Sequence, residues 1–446
     1  MHIPDGYISP ATAGVMYAAA VPFWAVAAGR VKKALSGRTV PLLSIFAALT
    51  FAIMMFNVPV PGGTTAHGVG GTLTAIVLGP WAAVITTSVA LVIQALFFGD
   101  VGITTIGANC FDMAIVLPFV GYLSYRLIAG RSDTLSQRRV IAAAIGSYIG
   151  ITAAAICVGL LLGIQPHLWA TNGVPDYSPY GFSTAIPAML VSHALGASFV
   201  EAAITALGVA YLQKSFPELL PGPRASEPGA EREARRINPW LPAGGFIAVA
   251  ALVVFVAGLI KGSGDIETWG GLNWATVDWT AAGQTVLVSA LVSVVVLPLL
   301  FVLLRKRAGI RAAAILFVAL MIWAPIGLIA PGGAFGEDTS ATQAEVTAAV
   351  QARANGDSAL FDALPDVNKE CACVPTKIND VTFAGHTLLS GYQPPWVSST
   401  DPPWQQDLGY QVAGLIGIGV FVFGSFGLLQ FARRLAPQAP PDWRTA

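Results

Sequence analysis

Apolar stretches of bilayer-crossing length recur along this chain, and they constrain its fold more than any other feature. A transmembrane helix needs roughly 20 mostly apolar residues, because in hydrocarbon every backbone N–H and C=O must be satisfied inside the segment. Such stretches stand near residues 11–29, 41–57, 111–127, 140–164, 183–212, 243–260, 283–304, 311–330 and 411–432. Another apolar stretch, Gly68 to Phe98, is interrupted by "LGPW" at Leu78 to Trp81. Only 11% of the 446 residues are charged, against about 25% in soluble domains. The reading is an all-α polytopic membrane protein whose main partner surface is the lipid bilayer. With a formal net charge of zero, no nucleic-acid partner is expected.

Basic residues set the orientation. They cluster at Arg30 to Arg38, Arg126 to Arg139, Lys214 to Arg236, Arg305 to Arg311, and Arg433 with Arg434. Placing all of them in the cytoplasm puts the N-terminus outside and the C-terminus inside a cell (inner) membrane. An even number of crossings must then separate Arg38 from Arg126, so residues 68–98 contribute two short helices or a re-entrant hairpin broken at Gly79-Pro80. Each half would be shorter than a normal span, so one or both must be buried in protein rather than face lipid. The count is seven spans in residues 1–213 and about four further transmembrane helices in 241–446, with an outer loop at 331–410. Residues 214–240 contain the Pro-rich, charged "PELLPGPRASEPGAEREARR" and read as a cytoplasmic linker.

The chain opens "MHIPDGYISP". A cleavable signal peptide would start with a basic region, but the first arginine is Arg30. The N-terminus is therefore expected to be kept, and the bulky His2 disfavours trimming of Met1. A free Met1 amine, the His2 backbone nitrogen and the His2 ring can bind one ion together. The first pair closes a five-membered chelate ring and the second a six-membered one. The ion must displace the His2 amide proton, which suits Ni²⁺ and Cu²⁺, and tetragonal nitrogen sites fit the same ions. Of the other histidines (His67, His167, His193 and His386), His67 is the natural fourth donor. It lies in "NVPVPGGTTAHGVGG", whose glycines allow close backbone approach. The residues alone leave open that His67 simply hydrogen-bonds to its surroundings. His167 and His193 read as structural or cavity-lining, and His386 as exposed.

Three stretches then carry a resemblance: "MHIPDGYISP", "NVPVPGGTTAHGVGGTLTAIVLGPWAA" and "QALFFGDVGITTIGANCFDMA". They are similar to the substrate-binding subunit of cobalt and nickel energy-coupling-factor transporters, the CbiM/NikM type, over residues 1 to about 213. The resemblance implies seven spans, an external N-terminus, and a four-nitrogen site for transported Co²⁺ or Ni²⁺ that falls on Met1, His2 and His67. It also implies three partner chains, a membrane coupling subunit and two ATPase subunits. The chain has no G-x-x-x-x-G-K-[ST] sequence of its own, so no enzyme activity and no cofactor are expected of it. "GYQPPWVSSTDPPWQQDLGYQVAGLIG" loosely resembles the small accessory subunit of the same systems. Such a fusion gives cobalt a slight edge; neighbouring cobalamin-synthesis genes would argue the same.

Asn109 and Asp5 are candidates to support the metal site from behind its ligands, although helix capping explains Asp5 at least as well. Asp100, Asp112 and Glu201 are costly in lipid and should face the protein interior or a helix end. Cys371 and Cys373 form "CAC", a spacing poor for a mutual disulfide, and are candidates for metal capture. Other function classes remain in view: an ATPase-independent secondary carrier, which would want a chain of intramembrane carboxylates, and a membrane metal sensor.

Overall fold

The computed structural model describes residues 1–34, 39–60, 64–222, 279–305, 308–329, 341–378, 387–398, 400–424 and 427. The expected span at 243–260, most of the 214–240 linker and His386 lie outside the described residues.

The apolar runs form helices. After an irregular N-terminal segment come α1 (Pro10–Ala34) and α2 (Thr39–Met55), then a hairpin of β1 (Asn57–Val60) and β2 (Thr64–His67). Next are α3 (Gly71–Leu78), α4 (Pro80–Ile93), α5 (Ile106–Asn109), α6 (Leu117–Ala129), α7 (Gln137–Gly163) and α8 (Gln165–Leu168). A small hairpin of β3 (Ala170–Thr171) and β4 (Val174–Pro175) precedes α9 (Phe182–Ser192) and α10 (Ser198–Ser215). Three π-helical turns run through these helices: Gln94–Phe98 extends α4, Cys110–Val116 joins α5 to α6, and His193–Ala197 joins α9 to α10. The β1–β2 ribbon was not expected from sequence, since its strands carry the prolines and threonines of a loop. It pairs Asn57 with His67.

The interrupted stretch breaks where expected. Gly79 takes φ 89° and Pro80 begins α4, so glycine supplies the left-handed backbone and proline a pre-set first helical residue. Every residue of α3 is buried. Its eight residues reach only about 12 Å, too short to cross a bilayer. His67 before α3 and Asp100 after α4 both meet His2, so this helix pair enters and leaves on the same side.

The later part continues with α11 (Trp279–Leu303), α12 (Ala308–Trp323), α13 (Gln343–Ala354), α14 (Ala359–Asp362), α15 (Asp366–Cys371) and α16 (Pro403–Gly419). Helix α16 begins eight residues before the expected span at 411–432, so the last residues assigned to the 331–410 loop are helical. The rest of that loop is not plain coil. Thr342 and Glu345 form a capping box on α13, and Val346, Ala349, Phe361 and Leu364 make a small core beneath it. Among the described residues, seven helices are long and apolar enough to cross a membrane, while Pro41–Met55 and Phe317–Ile326 are shorter apolar helices. The exposed Leu291, Val294, Val295 and Leu299 of α11 suit a lipid-facing surface.

The two parts share a core. One apolar cluster includes Phe51, Met55 and Phe98 from the first part with Met321, Val367, Tyr392 and Tyr410 from the second. The Tyr410 hydroxyl donates to the Met55 carbonyl at 3.2 Å. At Gly417 of α16 there is no room for a side chain beside Phe51 and Phe98.

Candidate metal centre

The first nine residues form no helix, yet they are held in place by side chains and backbone groups from other parts of the chain. Asn109, the last residue of α5, binds both backbone groups of Ile3: its Oδ1 accepts from the Ile3 N–H at 2.7 Å and its Nδ2 donates to the Ile3 carbonyl at 2.9 Å. The Thr105 hydroxyl donates to the same carbonyl at 2.5 Å. Asp5 accepts from the backbone N–H groups of Ile103 and Thr104 at 3.2 and 2.8 Å, so it caps the loop before α5. Further along, the Ser9 N–H donates to Gln165 Oε1 at 3.0 Å, and the Ser178 N–H to the Tyr7 carbonyl at 3.0 Å. Gly6 sits at φ 85° directly against the Ile378 carbonyl, where a Cβ would overlap it.

This scaffold carries His2 to His67. The two rings lie with centroids 4.7 Å apart, inclined at 39°, and both residues are only 5% exposed. His67 Nδ1–H donates to the Gly68 carbonyl at 2.9 Å, and His2 Nδ1–H donates to Asp100 Oδ2 at 3.1 Å. Each Nε2 is buried without a hydrogen-bond partner. A ligating histidine characteristically donates its other ring N–H to a carboxylate or a backbone carbonyl, and His67 does so here. Burial, then the nearby Met1 amine and His2, hold His67 well below the usual histidine range, so its Nε2 lone pair is available. An imidazole nitrogen sits about 2.1 Å from a divalent first-row ion, and two rings at this spacing can flank one ion in adjacent positions. No group of three His, Cys, Asp or Glu side chains forms a metal-ligand set among the described residues, so an ion held between these rings would need donors other than such side chains. The Met1 amine is buried with the rings and acts electrostatically on His67.

The loop before α3 is tied down from α10. Glu201 Oε2 accepts from the N–H groups of Val69 and Gly70 at 2.7 and 2.8 Å. Gly68 lies against this carboxylate, where a Cβ would be only 3.0 Å from Oε2, and Gly70 takes φ 74°. The close approach expected of the glycine-rich loop is thus made to Glu201.

Asn109 and Asp5 touch neither imidazole; both fix the segment that carries His2. The carboxylate on the His2 ring is Asp100, singled out in the sequence only as costly in lipid. Burial opposes its charge, but His2 and the hydroxyl of Tyr392 outweigh that and hold it below the usual carboxylate range. Gln94 and Tyr392, which share this carboxylate, were missed. Gln94 begins the first π-helical turn, and turns of this kind gather at functional sites. The other two place Asp112 and His193. Both Asp112 oxygens are buried without a hydrogen-bond partner, rather than paired with a basic residue, and His193 Nε2 is likewise unpartnered. His167 is apart from this group, stacked on Phe182 at 5.2 Å.

Cys371 and Cys373 are joined by a disulfide, the pairing the sequence disfavours. Ala372 between them adopts φ 49°, a left-handed turn that brings the two sulfurs together. In this state neither is a thiolate, the form that binds metal.

A family model described as cobalt uptake substrate-specific transmembrane region, CbiM, matches residues 2–219. The fused nickel transport protein NikMN of Rhodobacter capsulatus is 44% identical over 292 residues, 65% of this chain and 80% of that protein. The probable fused nickel transport protein LarMN of Lactiplantibacillus plantarum is 49% identical over 220 residues, 49% of this chain and 66% of that one. A crystal structure of a truncated transition metal transporter is 53% identical, with a TM-score of 0.45, and covers 48% of this chain and 98% of its own. The chain therefore belongs to the CbiM family of cobalt uptake substrate-specific membrane proteins.

Proposed function

We propose that this chain is the substrate-specific membrane subunit of an ATP-driven energy-coupling-factor importer for Co²⁺ or Ni²⁺. The ion is held by the Met1 amine, by His2 and by His67. The observation that carries this reading is the pair of buried imidazoles 4.7 Å apart beside Met1, with His67 Nε2 bare and His2 Nδ1 held by Asp100. A buried nitrogen lone pair without a donor is costly, and a cation is the partner that suits His67 Nε2. Membership of a cobalt uptake family, and the nickel transport proteins among its relatives, support both ions as cargo.

In the four-nitrogen arrangement His2 gives its backbone nitrogen and Nδ1, the ring atom that closes a six-membered chelate, and His67 gives Nε2. His2 Nδ1 rests on Asp100 in this structure, so loading exchanges that hydrogen bond for the ion and moves the ring proton to Nε2. The His2 amide proton leaves as well. ATP hydrolysis belongs to two partner ATPase chains, acting through a membrane coupling subunit.

Uptake of radioactive ⁵⁷Co and ⁶³Ni into cells, with and without the co-expressed partners, tests this. Uptake that needs the ATPase chains is expected. Undiminished uptake without them would make the protein a secondary carrier, and binding without uptake in their presence a sensor.

A further inference from the structure

Tyr392 reaches the metal centre from the far part of the chain. It ends a one-turn segment, Ser390–Tyr392, and its own backbone lies at φ 59°, a region bulky residues rarely adopt. Such strain persists where the surroundings over-determine it, and here they do. The Leu389 N–H donates to the Phe97 carbonyl at 2.9 Å, and the phenol ring stacks on Phe98 at 4.9 Å and packs on Tyr410 at 5.3 Å. The conformation delivers the hydroxyl to Asp100 Oδ2 at 2.5 Å, while the same hydroxyl oxygen accepts from Gln94 Nε2 at 2.7 Å. Gln94 Nε2 also approaches Asp100 Oδ2 at 3.2 Å. One carboxylate oxygen thus serves His2, Tyr392 and Gln94.

Loading the ion takes His2 away from that oxygen. A largely enclosed carboxylate that loses a donor is destabilised, the more so because hydrogen bonds to charged groups are the stronger ones. Tyr392 and Gln94 stay behind and keep the carboxylate satisfied. We propose that Tyr392 is a positioning residue of the metal centre: it holds Asp100 while His2 passes from the carboxylate to the ion. The C-terminal part of the chain thereby sets how readily the site loads. The proposal rests on the His2–His67 reading above.

The test is a double-mutant cycle on the purified full-length protein, with Ni²⁺ and Co²⁺ affinities read by competition against a chromophoric chelator. Tyr392→Phe keeps the ring and its stacking and removes only the hydroxyl. Affinity should fall by roughly fivefold, because the hydrogen bond is present in both states and counts for more once His2 has left the carboxylate. In an Asp100→Asn background, where no charge needs support, the same change should alter affinity less than about twofold. Equal losses in both backgrounds, or no loss with Asp100 intact, would overturn the proposal. Incorporation of 3-fluorotyrosine at position 392 keeps the fold and strengthens the donor, so it should raise affinity; a fall would count against the proposal. His67→Ala separates the two ideas. If it binds metal like the wild type, the metal-site reading fails; if it loses metal while Tyr392→Phe does not, only the role of Tyr392 fails.

Discussion

Asn109 grips Ile3 through both of its backbone groups, with Oδ1 and Nδ2 at 2.7 and 2.9 Å. This is the pairing a strand neighbour would provide, made instead by one side chain at the end of a short helix. It fixes the residue after His2, and so fixes where the His2 ring can reach.

Asn109→Leu should therefore release the N-terminal segment without unfolding the helices. Two hydrogen bonds of about 1 kcal/mol each are lost, and the stranded Ile3 N–H costs about as much again, while the Ile3 carbonyl keeps the Thr105 hydroxyl. Amide exchange over residues 3–9 should quicken by at least tenfold, and metal affinity should drop with it. Exchange that stays slow would show that the other anchors, the Thr105 hydroxyl and the Gly102 N–H on the Ile3 carbonyl at 2.5 and 3.3 Å, suffice. Asn109→Asp should be equally harmful, because it removes the donor and sets a carboxylate against the Ile3 carbonyl.

Replacing His67 by Ala should lower metal affinity by two orders of magnitude or more and leave the helices folded, since its ring contacts are His2 and the Gly68 carbonyl rather than apolar core. It should also change the acid sensitivity. His67 is held neutral in the folded protein, below its ordinary value of 6.5. The unfolded chain binds the extra proton, so stability falls as pH drops through about 6.5. Thermal unfolding at pH 7 and 5.5 should show a smaller difference for His67→Ala than for the wild type.

Much of this was legible because membranes impose simple rules. The break at Gly79-Pro80 follows from the interruption of an apolar stretch, and α3 is buried as a helix too short to span requires. His2 and His67 stood out because a chelate at a terminus is defined by covalent connectivity. Asp100 was visible only as an expensive residue, because nothing local pairs it with His2. Tyr392 was invisible: 292 residues separate it from Asp100, and only the shared core of the two parts brings them together. The Cys371–Cys373 disulfide was misjudged because the left-handed Ala372 is not announced by its residue type.

The segment after α15 docks on β4 through Asp176. Its carboxylate takes the Lys377 ammonium at 2.8 Å and the Thr376 hydroxyl at 2.5 Å. Burial works against ionisation, but these donors prevail and pull Asp176 down to about 2. A depressed carboxylate stabilises docking above its free value of about 4 and ceases to do so as pH falls toward 2. Proteolysis or amide exchange across residues 366–378 should therefore accelerate between pH 5 and about pH 2.5. Asp176→Asn should be open at both. Because Ile378 of this segment lies on Gly6, the N-terminal loop should loosen in the same pH range. A segment that stays protected in Asp176→Asn would show that the backbone bonds from the Thr376 N–H to the Pro175 carbonyl and from the Lys377 N–H to the Asp176 carbonyl, 3.1 and 2.8 Å, hold it alone.

The Met1 amine gives the sharpest test of the proposed ligand set, because there position matters as much as residue type. Met1 is buried beside His67, so the pocket is closed around it. Inserting one alanine to give Met-Ala-His keeps every side chain but puts an extra amide between amine and imidazole, and pushes bulk into that pocket. An N-terminal tag converts the amine to an amide, which is a poorer donor. His2→Ala keeps the amine and removes the ring. All three should abolish uptake, while a tag after Ala446 should be tolerated. Binding to the unaltered protein should release the His2 amide proton, so affinity should fall as pH drops. Isothermal titration in buffers of different ionisation enthalpy counts that proton. A blocked terminus that still binds nickel with unchanged affinity and proton release would remove Met1 from the site and leave the two imidazoles to hold the ion with water.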